Sequence, residues 1–236
     1  MSQPNILMIM TDQMRADAMG CAGGWVKTPN FDWLAAHGVR FTSCVSTSPV
    51  CIPARLSLAT GLYPHNTGVW TNINHSVRPE TPTWMGAIRA AGYHTAVIGK
   101  THLHPHGGDL RDRRPLMQAI GLDDVIEIGG PHASTRCGSD MTDDWDKAGV
   151  WDAYREDMKT RSAGLVRPSP LPLELYYDTW VGQRSLRWLR EYQQAKPWFL
   201  WVSFGGPHEP WDCPEPYASL YDPAAMPKPL PRAPWA

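Results

Sequence analysis

The chain has 236 residues, 42% hydrophobic and 19% charged, with 22 lysines and arginines against 23 acidic residues and a formal net charge of −1. That composition supports a globular fold with a sizeable core and gives no basic field that would draw the chain to nucleic acid. No apolar run approaches the roughly 18 residues that cross a bilayer, and the five cysteines (21, 44, 51, 137 and 213) are scattered, odd in number and without a Cys-x-x-Cys pair, which argues against a disulfide framework or a cysteine zinc site.

The first residues, Met1-Ser2-Gln3-Pro4-Asn5, lack the basic start of a secretory signal, so the expected location is the cytoplasm. Asn5 to Met10 is a short continuous apolar run, expected to form a strand buried on both faces. It ends at Thr11-Asp12-Gln13, and the carboxyl end of a central strand is where open α/β sheets hold ligands. The plainer reading of Asp12 is a residue that opens a turn or caps a helix. Thr28 to Gly38 reads as a helix with Thr28 as cap, Pro29 at the first position, Gly38 as stop and Phe31, Leu34 and Ala35 as its apolar stripe. Val39 to Val45 is expected to be a strand leading into the next loop.

The stretch Val50 to Gly61 places a thiol at the start of a helix. Pro53 suits the first turn, Leu56, Leu58 and Ala59 continue it, and Gly61 stops it. There Cys51 meets unpaired backbone N–H groups and the positive end of the helix dipole, with Arg55 one turn on along the same face. A nucleophile and a fixed cation would then sit together; the bland alternative is a buried structural cysteine beside a surface arginine.

Thr83 to Ala91 reads as a short helix, and Gly92 to Ile98 leads into a second buried strand that ends at Gly99-Lys100-Thr101-His102. Lys100 and His102 alternate, so both can project to one side of an extended segment. His102, His104 and His106 share a strand spacing that would suit zinc, but Pro105 interrupts the strand and no other cluster offers the remaining ligands. Asp109 to Arg114 reads as a solvated face, and Thr135 to Asp157, with Trp145 and Trp151, as a segment shaping substrate access. Pro168 to Pro172 is a loop, Asp178 to Gln194 an amphipathic helix, and Pro197 to Phe204 a third buried strand that ends at Pro207-His208-Glu209-Pro210. Glu209 is given no role. The strand–helix alternation supports an α/β class with a mostly parallel sheet. A proline-rich run, 223–236, closes the sequence.

Cys51-x-Pro53-x-Arg55, followed by Leu58, Thr60 and Gly61, resembles the signature of the sulfatase family. Gly99-Lys100-x-His102, Pro207-His208-x-Pro210, Asp12 at the first strand end and the Thr28–Ala35 and Leu62–Val69 runs resemble further motifs of that family in the same order. The resemblance implies the alkaline phosphatase-like fold, a mostly parallel central sheet flanked by helices. It implies hydrolysis of sulfate monoesters by a formylglycine made from Cys51, with Asp12 and residue 51 as metal ligands and calcium, manganese or magnesium as the cation. Arg55 would hold the nucleophile, Lys100 and His208 would contact the sulfate and leaving oxygen, and His102 would take a proton from the formylglycine hydrate. Gln13 stands where many members have a second aspartate, and His65 is expected to orient local backbone.

The implied partners are a small-molecule sulfate ester and a formylglycine-generating enzyme, with no nucleic acid and no membrane; homo-oligomerisation is left open. The alternatives are a phosphonate monoester or phosphodiester hydrolase with the same nucleophile, or an inactive fragment. Residues 1–236 would form the N-terminal portion of a single catalytic domain, with 107–172 as an insertion shaping the substrate site. The family's C-terminal part, with its second acidic motif and second lysine, is expected to be absent.

Overall fold

The computed structural model describes residues 3–161 and 165–228, so most of the proline-rich run 223–236 lies outside the described residues. Four parallel strands form one sheet in the order β1 (Ile6–Met10), β4 (Trp198–Ser203), β2 (His94–Gly99) and β3 (Asp124–Glu127). Among the described residues nine α-helical segments flank it: α1 Pro29–His37, α2 Cys51–Thr60, α3 Pro64–Thr67, α4 Trp84–Ala90, α5 Arg114–Ala119, α6 Gly130–Ala133, α7 Asp140–Lys147, α8 Trp151–Thr160 and α9 Tyr177–Glu191. None of the helices among the described residues is long and apolar enough to cross a membrane.

Alternation along the strands divides the interior into two cores. On β2, Val97 faces one way and Ala96 and Ile98 the other; on β4, Phe199 and Trp201 oppose Leu200 and Val202. The first set packs with Leu56, Met85 and Met117, and the second with Trp145, Tyr154, Trp180 and Val181. The two central strands are therefore buried on both faces, as continuous apolar runs require. β1 departs from that expectation. Its Ile6, Met8 and Met10 join the first core, but Leu7 and Ile9 remain 46% and 49% exposed, because no described helix covers that face.

Other departures have equally local causes. Val39 to Val45 forms no strand: Val39, Phe41 and Val45 are at least 80% exposed, and no described strand lies beside them to complete a ladder. α1 begins with its proline and stops before Gly38, yet none of its residues is buried. The Thr28 hydroxyl does not cap that helix but accepts from the Gly20 N–H and donates to Asp32. Asp109 to Arg114 is not simply a solvated face. Leu110 is buried, Arg111 pairs with Asp109 and Asp143, and Arg114 pairs with Asp140, so the segment ties β3 to α7. Trp145 belongs to the second core, and residues 107–172 supply β3 and α5 to α8.

Candidate active site

All strands run the same way, so their carboxyl ends gather at one edge, and the singled-out side chains meet there. Backbone pairing continues past the strands: Asp12 N–H donates to Gly206 C=O (3.0 Å) and Lys100 N–H to Ser203 C=O (2.9 Å). Gly99 makes this possible. Its φ is +119°, and a Cβ there would lie 1.8 Å from the Ser203 carbonyl oxygen.

Asp12 is the point of convergence. It is buried, and its Oδ2 accepts from Lys100 Nζ at 2.6 Å and from Arg55 Nη2 at 3.1 Å. Burial pushes the Asp12 carboxyl up, but Lys100 and then Arg55 outweigh it and hold the pKa below the usual value. Arg55 is no surface residue. Its other nitrogen, Nη1, donates to the Lys100 carbonyl (2.5 Å) and to Ser203 Oγ (3.0 Å), so the guanidinium spans β1, β2 and β4. Cys51 is the first residue of α2, after Val50 as cap, and Gly61 closes the helix with φ +71°. The Ile52 N–H, one of the free donors at that helix start, is taken by Asn72 Oδ1 at 2.9 Å.

Cys51 Sγ lies 3.8 Å from Asp12 Oδ1, and single atoms of Asp12, Cys51 and His208 all fall within 4.8 Å of one another. The imidazole of His208 draws the Cys51 pKa down, against burial and Asp12, and the thiol in turn raises that of His208. Just before His208, Asp178 of α9 accepts the N–H groups of Gly205 (2.8 Å) and Gly206 (3.0 Å). Burial pushes Asp178 up to about 6.

Lys100 and His102 line one cavity of about 360 Å3 together with Ile52, Asn72, His132 and His208. His102 has φ +56°, its Nδ1 is buried without a partner, and burial followed by His106 and Lys100 drives its pKa far down, so the ring is neutral. The three histidines do not converge on a metal. His104 Nε2 pairs with Glu127 at 2.7 Å, and His106 Nδ1 faces the Gly129 carbonyl at 3.2 Å. Gln13 is exposed with φ +61°, and His65 is exposed, stacking on Tyr63.

The sequence reading missed Ser203, Asp178, Glu127, Asn72 and His132. A second cavity of about 550 Å3 adjoins the first at His208 and is walled by Phe204, Trp211 and Tyr217.

The family model described as Sulfatase matches residues 4–226. The chain is 32% identical to an arylsulfatase of Clostridium perfringens over 97% of its own length and 48% of that protein's. It is 31% identical to the uncharacterized sulfatase YidJ of Escherichia coli over 94% of its length and 42% of that protein's. The chain thus spans about half the length of the curated relatives it matches. Among solved structures, a phosphonate monoester hydrolase of Agrobacterium radiobacter superposes with a TM-score of 0.70 at 28% identity, over 96% of this chain and 45% of that one. With the family model matching it from residue 4 to residue 226, this chain belongs to the sulfatase family.

Proposed function

We propose that the chain carries the front half of an active site that hydrolyses sulfate monoesters, with Cys51 converted to formylglycine. The observation that carries this reading is the meeting of Asp12, Lys100, Arg55, Cys51 and His208 at one sheet edge: two buried cations, a carboxylate, a helix-start thiol and an imidazole. Lys100 would hold the sulfate oxygens, and His208, whose pKa is raised beside residue 51, would donate to the leaving oxygen. His102, neutral and with a free Nδ1, would accept the proton that must leave the formylglycine hydroxyl before sulfate departs. The apolar cavity beyond His208 gives room for an aryl or other apolar alcohol.

The donor set fits a divalent metal in part. Asp12 Oδ2 is engaged by the two cations, which leaves Oδ1, facing residue 51, for a metal ion. Oxygen at position 51 suits a hard cation better than sulfur does, which favours calcium, with manganese or magnesium next. When bound, such an ion lowers the cost of negative charge on the oxygen at position 51.

Mass spectrometry of the peptide spanning Cys51, from material made with a maturation enzyme, is expected to show a loss of about 18 Da relative to cysteine. A wholly unmodified thiol in a preparation that turns over sulfate esters would sink the formylglycine mechanism. A second reading, phosphonate monoester or phosphodiester hydrolysis, is favoured by Gln13 beside a single Asp12 and by the likeness to the phosphonate monoester hydrolase. Side-by-side rates on aryl sulfate and aryl phosphonate esters separate the two.

A further inference from the structure

Glu127 belongs to none of the sequence motifs, yet it is a buried carboxylate beside the site. It is the last residue of β3, 5% exposed, and reaches the turn that follows β2. Its Oε1 accepts from Thr101 Oγ1, the residue before His102. Its Oε2 pairs with His104 Nε2 at 2.7 Å, two residues after His102. His106 Nε2 lies 3.8 Å from Oε1, and the His106 ring packs on that of His102 with centroids 4.4 Å apart.

His102 sits between these attachments with φ +56°, a left-handed conformation that a residue with a side chain holds only where its surroundings over-determine it. No hydrogen bond at Nδ1 supplies that constraint, since that atom has no partner. The constraint comes from the flanks. One carboxylate pins the backbone before His102 through Thr101 and the backbone after it through His104, and it stands beside the imidazole that backs the His102 ring.

We propose that Glu127 is the positioning residue for His102, holding the 101–106 turn so that the imidazole keeps its place in the wall of the pocket it shares with Lys100 and His208. The inference rests on the proton-accepting role given to His102 above. Two further properties fit it. Thr101 and His104 are both buried, so a carboxylate lost from their midst would leave a hydroxyl and an imidazole N–H unpaired. Pairing through β2 and β3, with Ile128 N–H donating to the Gly99 carbonyl at 3.2 Å, makes the platform under Glu127 part of the sheet and not of a loop.

The experiment uses the matured full-length protein and an aryl sulfate. Glu127→Ala is expected to lower kcat by about a hundredfold, the scale of a misplaced catalytic group, and KM in proportion, leaving kcat/KM within about threefold because the slowed step follows formation of the sulfated enzyme. Because His102 acts after the alcohol has left, the variant should release one equivalent of phenol in a burst and then turn over slowly. A loss of structure alone gives no such burst. Glu127→Gln, which keeps the shape and one acceptor, should recover to within about tenfold of the parent.

The ring NMR signals of His102, assigned by their disappearance in His102→Gln, should move in Glu127→Ala. This arm needs no turnover, so it decides the positioning role even if the parent proves inactive on sulfate esters, a result that would instead overturn the proposed function. Should the alanine variant fail to fold, Thr101→Val, which cuts only the flank before His102, is read in the same two ways. Unmoved His102 signals, or an undiminished kcat without a burst, would overturn the proposal.

Discussion

At the scale of single residues, the site is an electrostatic arrangement around one carboxylate. Asp12 stays ionised in a buried position because Lys100 and Arg55 both donate to its Oδ2, and Arg55 also joins the Lys100 carbonyl and Ser203. A lysine ammonium, with its donors on a single nitrogen, cannot reproduce the two-nitrogen fork that reaches Asp12 on one side and the Lys100 carbonyl and Ser203 on the other. Arg55→Lys in the full-length protein is therefore expected to cut kcat by at least about a hundredfold, comparable to losing one strong transition-state donor. Near-normal turnover with the fold intact would contradict that role. The Glu127–His104 pair gives a second expectation, in stability against pH. Burial raises the Glu127 pKa, but His104 and His106 bring it down from 4.5 to about 2, so its contribution is present above the ordinary carboxylate pKa and fades as pH falls through the folded value. Burial lowers His104, but Glu127 raises it overall, so its contribution is complete below pH 6.5 and is lost as pH rises through the folded pKa. Thr101, His106 and, more distantly, Arg113 and Cys137 are the other groups facing this pair. Urea midpoints across pH 2–8 should show the parent losing stability on both sides of a plateau between about pH 4.5 and 6.5. Glu127→Gln should flatten the acidic side, and an unchanged profile would show that the pair carries no such linkage.

At the scale of elements, the seam between β2 and β4 sets the site, because Lys100 and His208 follow the two strands and Arg55 bridges them. Gly99 permits the seam to stay closed at its carboxyl end. Gly99→Ala adds a Cβ 1.8 Å from the Ser203 carbonyl oxygen in a left-handed backbone conformation, and it is expected to destabilise by at least about 3 kcal/mol. A shift in the urea midpoint worth less than about 1 kcal/mol would show that the seam can open without cost. This seam also explains what the sequence could and could not disclose. Asp12, Lys100 and His208 were singled out because each lies shortly after an apolar run in a motif that resembles the family's, and Cys51 and Arg55 because they stand in the first turns of a helix that contains Pro53 and ends at Gly61, again in a family-like motif. Ser203, Asp178 and Glu127 were not. They reach the site across 148 residues to Arg55, 28 residues to Gly206 and 26 residues to Thr101, contacts that no local periodicity encodes. β2 and β4 matched their apolar runs, whereas Val39 to Val45 had the composition of a strand but no described neighbour to pair with. The charges of Asp109 to Arg114 likewise read as solvent-facing, because their partners Asp140 and Asp143 come from another element.

At the scale of the whole molecule, the described residues leave apolar surface uncovered and gather few metal donors. β1 has no strand on its outer edge among the described residues, and its Leu7 and Ile9 are about half exposed. Leu34, Val39, Phe41, Val45 and Leu62 are exposed in the segments that follow it. An unpaired edge beside apolar side chains is a template for association with other chains. The metal site shows the same deficit. Among the described residues the groups gathered at Asp12 are its carboxylate, Cys51 and His208; with a formylglycine at position 51 the oxygen donors there would be Asp12 and residue 51, with Gln13 as a third candidate, while calcium takes six to eight and magnesium a near-octahedral set completed by water. A cation held by two protein groups would remain mostly hydrated and weakly bound. The curated relatives are about twice as long as this chain. Residues 1–236 expressed by themselves are therefore expected to bind divalent metal poorly, to show no turnover of aryl sulfates and to aggregate. A protein that continues through the length of those relatives is expected to bind one equivalent, turn over and stay dispersed. Calorimetric titration with calcium, manganese and magnesium, light scattering and an aryl sulfate assay on both forms make the comparison. Stoichiometric metal and full turnover from residues 1–236 would show that Asp12 and its neighbours already make a complete site.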